Sequence, residues 1–146
     1  MSRELSIGVR RLPANEGRLV RMRLEASDGA YAGVVEIWCP AERVAALGRG
    51  LADFSGKPTE TFEFHHEEQM ETQNLVVRAI PGRTGRTALE LKLAAGDAEC
   101  RLRHGVEVTA INRLGYLLAD LSIGANGGFR WTPRESHMLP ASDDLS

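Results

Sequence analysis

The 146-residue chain contains no apolar run approaching the roughly 18 residues that cross a bilayer as a helix, so it is expected to have no membrane partner. Residues 1–11 carry Glu4 among the separated Leu5, Ile7 and Val9, without the continuous apolar stretch of a secretory signal, and the expected setting is the cytoplasm. Two cysteines, Cys39 and Cys100, are too few for a disulfide framework and suit reduced thiols in a reducing compartment. A net charge of −2 lacks the basic excess that phosphate neutralisation demands, so no nucleic-acid partner is expected. At this length one core is sufficient for folding, and no metal or cofactor is required.

Lysine and arginine are missing altogether between Thr59 and Gln73, where Glu60, Glu63, Glu67, Glu68 and Glu71 accumulate. By contrast, the first 23 residues hold six arginines against Glu4 and Glu16. A basic amino-terminal arm and an acidic hairpin tip follow, as solvated surface or as mutual partners.

What the chain does contain is a segment used twice. Val44-Ala45-Ala46-Leu47-Gly48-Arg49-Gly50-Leu51-Ala52-Asp53-Phe54-Ser55 returns as Ile111-Asn112-Arg113-Leu114-Gly115-Tyr116-Leu117-Leu118-Ala119-Asp120-Leu121-Ser122, with six identities. Upstream, Met22 to Asp28 matches Leu91 to Asp97, and Val35-Glu36-Ile37 is matched with Val106-Glu107-Val108. A strand, strand, helix unit is therefore duplicated. Gly48 and Gly115 lie inside the two helices at equivalent positions, where glycine costs about 1 kcal/mol relative to alanine. A cost incurred twice points to close packing of the helix backbone.

Period-two alternation marks the strands, because successive strand side chains point to opposite faces. Val20, Met22, Leu24 and Ala26 alternate with charged residues, and Asp28-Gly29 turns the chain into Tyr31 to Cys39. Phe62 and Phe64 pair with Leu75, Val77 and Ala79 as a second hairpin; Leu89, Leu91 and Leu93 turn at Gly96-Asp97 into Cys100 to Val108 as a third. An edge strand near Leu5 to Leu12 and a short strand over Gly128 to Thr132 complete the set. The first helix is predicted to start at Pro40 and stop at Gly56; the second has Thr109 as N-cap and Gly124 as stop. The expected fold is α+β, with a mainly antiparallel sheet of six to eight strands under two helices on one face. Residues 1–132 form the domain and 133–146 a flexible polar tail.

His65-His66-Glu67-Glu68 is the most reactive-looking string. On a strand His65 shares a face with Glu63 and Glu67, each about 7 Å away on either side, so one ion cannot take all three. No metal site is expected. His104, in register with Leu102 and Val106, is expected as a hydrogen-bonded core histidine. Cys39 sits at a helix start, where the dipole favours a thiolate, but no base is positioned near it in sequence. No catalytic residue is assigned. Trp38 lies on the face opposite Ile37, outside the helix-covered core, and with Trp131 is a candidate contact residue, since tryptophan is enriched in binding hot spots.

Leu24-Glu25-Ala26-Ser27-Asp28-Gly29, Val34-Val35-Glu36-Ile37-Trp38 and the helix Leu47-Gly48-Arg49-Gly50-Leu51-Ala52-Asp53-Phe54 resemble a group of small bacterial α+β domains, some of them similar to immunity proteins of polymorphic toxin systems. The resemblance covers the first third of the chain and implies function by binding and blocking a partner. The leading expectation is a non-enzymatic protein-binding module, an inhibitor of a toxin being one form of it. It would use Glu63, Glu67 and Glu68 against a basic surface. A structural or regulatory homo-oligomer joined through an edge strand or the Trp38 face, and a small thiol enzyme centred on Cys39, are the two alternatives.

Overall fold

A computed structural model describes residues 4–13, 18–67, 73–82 and 87–139. The strands are β1 (Ser6–Leu12), β2 (Leu19–Ser27), β3 (Ala32–Pro40), β4 (Phe62–Glu67), β5 (Gln73–Pro81), β6 (Thr87–Ala95), β7 (Ala98–Gly105), β8 (Gly128–Trp131) and β9 (Ser136–Met138). The helices are α1 (Ala41–Ala52), between β3 and β4, and α2 (Val108–Ser122), between β7 and β8. No described helix is long and apolar enough to cross a membrane.

The α+β class and the antiparallel pairing stand as the alternation indicated. The nine described strands are divided, however, between two antiparallel sheets, one ordered β3-β2-β1-β8-β9 and the other β4-β5-β6-β7. The division follows from what each half does after its helix. The strand after α1, β4, leaves its own half and pairs with β5; the strand after α2, β8, leaves its half and pairs with β1. The first sheet is thus β1 to β3 of one half completed by β8 and β9 of the other, and the second is β5 to β7 completed by β4.

The helices meet where the repeated glycines are. A Cβ on Gly48 would lie 2.5 Å from the Ala119 nitrogen and 2.8 Å from the Gly115 carbonyl oxygen. A Cβ on Gly115 would come closer still to the Ala52 nitrogen and lie 2.5 Å from the Gly48 oxygen. Gly48 and Ala52 of α1 therefore face Gly115 and Ala119 of α2 reciprocally, with backbone against backbone. The helix-propensity cost read from the sequence is offset by this approach.

A second reciprocal contact joins the sheets. A Cβ on Gly33 in β3 would sit 2.6 Å from the Cys100 Cβ in β7, and each of these residues stands seven positions ahead of its helix N-cap, Pro40 or Glu107. Counting from the caps also corrects one match. Val35-Glu36-Ile37 corresponds to Leu102-Arg103-His104, not to Val106-Glu107-Val108, because the turn after β2 is two residues longer than the turn after β6. The same frame moves the second N-cap from Thr109 to Glu107 and begins α1 at Ala41, with Pro40 as its N-cap.

One apolar core joins both sheets and both helices. Ile7, Val9, Met22, Leu24, Val35 and Ile37 enter it from the first sheet, Leu75, Val77, Leu89 and Leu91 from the second, and Val44, Leu47, Leu51, Ile111, Leu114 and Leu118 from the helices. β1 is not an edge strand: β2 flanks it on one side and β8 on the other. Its polar set, Gly8 and Arg10, faces outward while Ile7 and Val9 are buried, and an outward polar face on a central strand reads in sequence like an edge. The first residues of the segment read as a polar tail belong to the fold, since β9 pairs with β8. Arg113 of α2 fastens this turn, donating to the carbonyls of Thr132 (3.0 Å) and Pro133 (2.9 Å) and to the Ser136 hydroxyl. Residues 140–146 lie outside the described residues.

Candidate interaction surface

Alternation along β1, β2, β3 and β8 gives the first sheet an outer face. Cross-strand register builds it in rows: Trp38 beside Arg21, Glu36 beside Arg23 and Arg10, Val34 beside Glu25, Gly8 and Arg130. The inner residues between them are buried.

Trp38 is 38% exposed, and Val34, four residues away on the same face with Glu36 between them, 42%. The Arg21 guanidinium lies 5.3 Å from the centre of the Trp38 ring, within range of a cation–π contact. Glu36 holds Arg21 at 3.2 Å and Arg23 at 4.0 Å. Half-exposed pairs of this kind contribute at most about 1 kcal/mol each, but they fix the orientation of the guanidinium over the indole. The backbone N–H of Glu36 donates to the Gln73 side-chain oxygen at 3.1 Å, so the β3 edge is partly covered by the other sheet.

Trp131 does not share this setting. It is fully buried, its indole N–H donates to the Ala110 carbonyl at 3.0 Å, and Arg113 lies 5.7 Å from its ring centre. Trp131 is a core residue and offers nothing to a partner. In β8 the buried Phe129 and Trp131 alternate with the exposed Arg130, a period-two pattern that places Trp131 inward.

Two glutamates of the acidic segment, Glu60 and Glu63, are engaged within the molecule. Glu60 accepts from the Ser55 hydroxyl and from the Ser55 N–H, both at 2.7 Å, and these bonds hold its carboxyl below the usual range. Glu63 is 3.2 Å from the His65 imidazole and 2.7 Å from Arg78, its cross-strand neighbour; the His65 hydrogen bond and then the Arg78 charge lower its pKa. Arg78 also reaches Glu90 at 2.8 Å. Glu67 is exposed, and Glu68 and Glu71 lie outside the described residues.

His65 and His66 point to opposite faces of β4. His66 is buried with its Nδ1 3.3 Å from Arg43, and the same arginine donates to the His65 carbonyl. Among the described residues no three histidine, cysteine or acidic side chains are grouped to hold a metal ion. Cys39 is completely buried, so no substrate carbonyl can reach its sulfur in the folded protein. Burial, and then the charge of Asp28, raise the pKa of Cys100, which disfavours the thiolate there.

His104 is only partly enclosed, and it meets Asp28 across 76 residues of chain at 3.0 Å. Counted from the N-caps it takes the place of the buried Ile37, which explains why its neighbours read as core. Asp28 is the organiser of the first hairpin turn. Its Oδ1 accepts from the N–H groups of Ala30 (2.9 Å) and Tyr31 (2.8 Å), and its Oδ2 faces His104. The Tyr31 and Ala30 amides, then His104, bring its pKa down to about 2. A carboxylate depressed in the fold stabilises it fully above the unfolded value, near 4, and loses that contribution as pH falls through about 2. Asp28→Asn should therefore be less stable than the wild type at neutral pH, and the gap should close between pH 4 and pH 2. Denaturant midpoints for the two proteins across that range test this; a constant gap would mean the carboxylate charge is irrelevant.

No family model matches the chain, and no curated protein matches it. A solved structure that it resembles is that of the plant transcriptional regulator PBF-2, at 12% identity over 81% of this chain and 74% of that one, with a TM-score of 0.48. Likeness at that level bears on neither function nor ancestry.

Proposed function

We propose that the protein is a non-enzymatic binding module that grips a protein partner through the outer face of its five-stranded sheet. The observation that supports this is the exposed Trp38, stacked with an Arg21 that Glu36 already orients, with exposed Val34 further along the same strand face. Tryptophan and arginine dominate binding hot spots because they bury large area around a few directional bonds, and a side chain already held in place loses less freedom on binding. The resemblance to small bacterial immunity-type domains supports the same reading and gives the partner a form: a toxin in the bacterial cytoplasm that the module occupies and blocks. The acidic hairpin then has a secondary part, with exposed Glu67 as its described contribution.

The test is a pulldown from native lysate with the intact protein as bait, followed by affinity measurement on the retained partner. Trp38→Ala is expected to weaken binding by about 2 kcal/mol or more, roughly thirtyfold, with the fold unchanged. Glu67→Lys should slow association with little effect on dissociation. Full affinity in Trp38→Ala would remove this face from consideration. Retention of nothing but the protein itself, with a mass that rises with concentration in the wild type and not in Trp38→Ala, would favour a homo-oligomer joined through the same strip.

A further inference from the structure

Beyond the Trp38 strip, the middle of the same sheet holds a groove of about 330 Å³ whose floor is Gly8. Arg10, Arg23 and Arg130 wall it, with Glu25 and Leu139 at its margins. Arg10 and Arg23 are direct cross-strand neighbours, and Arg130 stands opposite Gly8. The Arg130 Cζ, Nη1 and Nη2 atoms are each 3.9 Å from the point a Gly8 Cβ would occupy, so this guanidinium lies over the glycine instead of projecting into solvent. A larger residue at position 8 would fill the space the groove occupies.

Like charges placed directly opposite each other on a sheet are destabilising, and here a third converges on the pair. Local carboxylates offset only part of this. Arg23 is shared between Glu25 at 3.4 Å and Glu36 at 4.0 Å, whereas among the described residues neither Arg10 nor Arg130 has a carboxylate within 4.0 Å. Three guanidiniums and the single Glu25 carboxylate leave the walls with two uncompensated positive charges.

We propose that this groove binds the dianionic phosphate of a small phosphomonoester. Guanidinium forks match phosphate oxygens two at a time, and a dianion neutralises both excess charges where one carboxylate would neutralise one. The volume is at the small end of ligand pockets, enough for a phosphate and a compact remainder. Glu25 lies across the strands from Gly8 and Glu36 across from Arg23, so both carboxylates stand on the β2–β3 side of the groove, where they repel the repeated charges of a phosphodiester chain. The inference does not rest on the partner reading: Trp38, Arg21 and Val34 do not line the groove, and only Glu36 of that strip reaches one of its residues, Arg23.

Amide NMR of the full chain tests it, titrating inorganic phosphate, phenyl phosphate, dimethyl phosphate and acetate against sodium chloride at matched ionic strength. Phosphate and phenyl phosphate should give saturable shifts at Gly8, Arg10 and Arg130, at least tenfold tighter than dimethyl phosphate or acetate. Arg10→Gln and Arg130→Gln should each weaken binding about tenfold or more, and Arg23→Gln less, because Arg23 is already shared. Unchanged melting temperatures and spectra elsewhere would show that these variants fold. Equal shifts with chloride, acetate as tight as phosphate, or undiminished binding in the Arg10→Gln/Arg130→Gln double variant would each overturn the proposal. In the wild type, dimethyl phosphate binding as tightly as phenyl phosphate would overturn it without recourse to any variant.

Discussion

Gly115→Ala should destabilise the protein by about 3 kcal/mol, although alanine is the better helix former by about 1 kcal/mol. The added methyl would meet the Ala52 nitrogen and Cα and the Gly48 oxygen, all of them backbone atoms in the facing helix. A flexible side chain could turn away from such a contact; a helix backbone can only separate, and separation loosens the apolar residues that α1 and α2 share. Gly48→Ala should behave similarly, with contacts of 2.5 Å to the Ala119 nitrogen and 2.8 Å to the Gly115 oxygen. The double variant should cost less than the sum, since the first methyl already opens the crossing that the second needs. Gly127→Ala, where no atom lies within 4 Å of the added carbon, is the control and should be near neutral. Urea midpoints with m-values decide the matter. Wild-type stability in Gly115→Ala would show that the helices do not cross at that glycine.

Trp131→Ala should be the most damaging single truncation, costing on the order of 3–5 kcal/mol. Three losses combine in it. The indole is the largest fully buried side chain, its N–H bond to Ala110 ties β8 to the first turn of α2, and Arg113 stacks against it while fastening the β8–β9 turn. Trp131→Phe keeps most of the volume but forfeits the hydrogen bond, and about 1–2 kcal/mol is expected. Thermal unfolding of both variants in a Trp38→Phe background, followed by far-UV circular dichroism, checks the ranking. Near-equal stability of Trp131→Ala and wild type would contradict the placement of the indole in the core. The same background isolates Trp131 fluorescence, whose emission should be blue-shifted until unfolding.

How much of this was legible beforehand depends on which interactions are local. Close packing of the helices was legible because the repeat places one glycine at the equivalent position of each, and glycine inside a helix needs a reason; that the neighbour is the other helix and not the sheet was not legible. The strands were legible because apolar and polar residues alternate. Alternation assigns a face, though, and not a neighbour. The hairpin of Phe62 and Phe64 with Leu75, Val77 and Ala79 was legible, but nothing in Gly128 to Trp131 says that its strand returns to β1 in the first half. The charged residues show the same limit. Five glutamates without a lysine or arginine read as an acidic tip, yet Glu63 is matched by Arg78 in the next strand and Glu60 by a serine behind it. Arg10 and Arg130 are 120 positions apart in the chain and meet only because β1 pairs with β8. His104 divides the reading: it is hydrogen-bonded as expected but only half-buried, and its partner, Asp28, belongs to the other hairpin.

The exchange of strands between halves also sets an order of events during synthesis. A ribosome releases β1, β2 and β3 first, yet β1 waits for β8, so the open flank at the centre of the first sheet persists until residue 131 has emerged. The second sheet has no such delay, because β4 precedes β5 and all four of its strands lie within residues 62–105. Nascent chains therefore hold one sheet that can close early and one that stays exposed to pairing with strangers until almost the last strand is made.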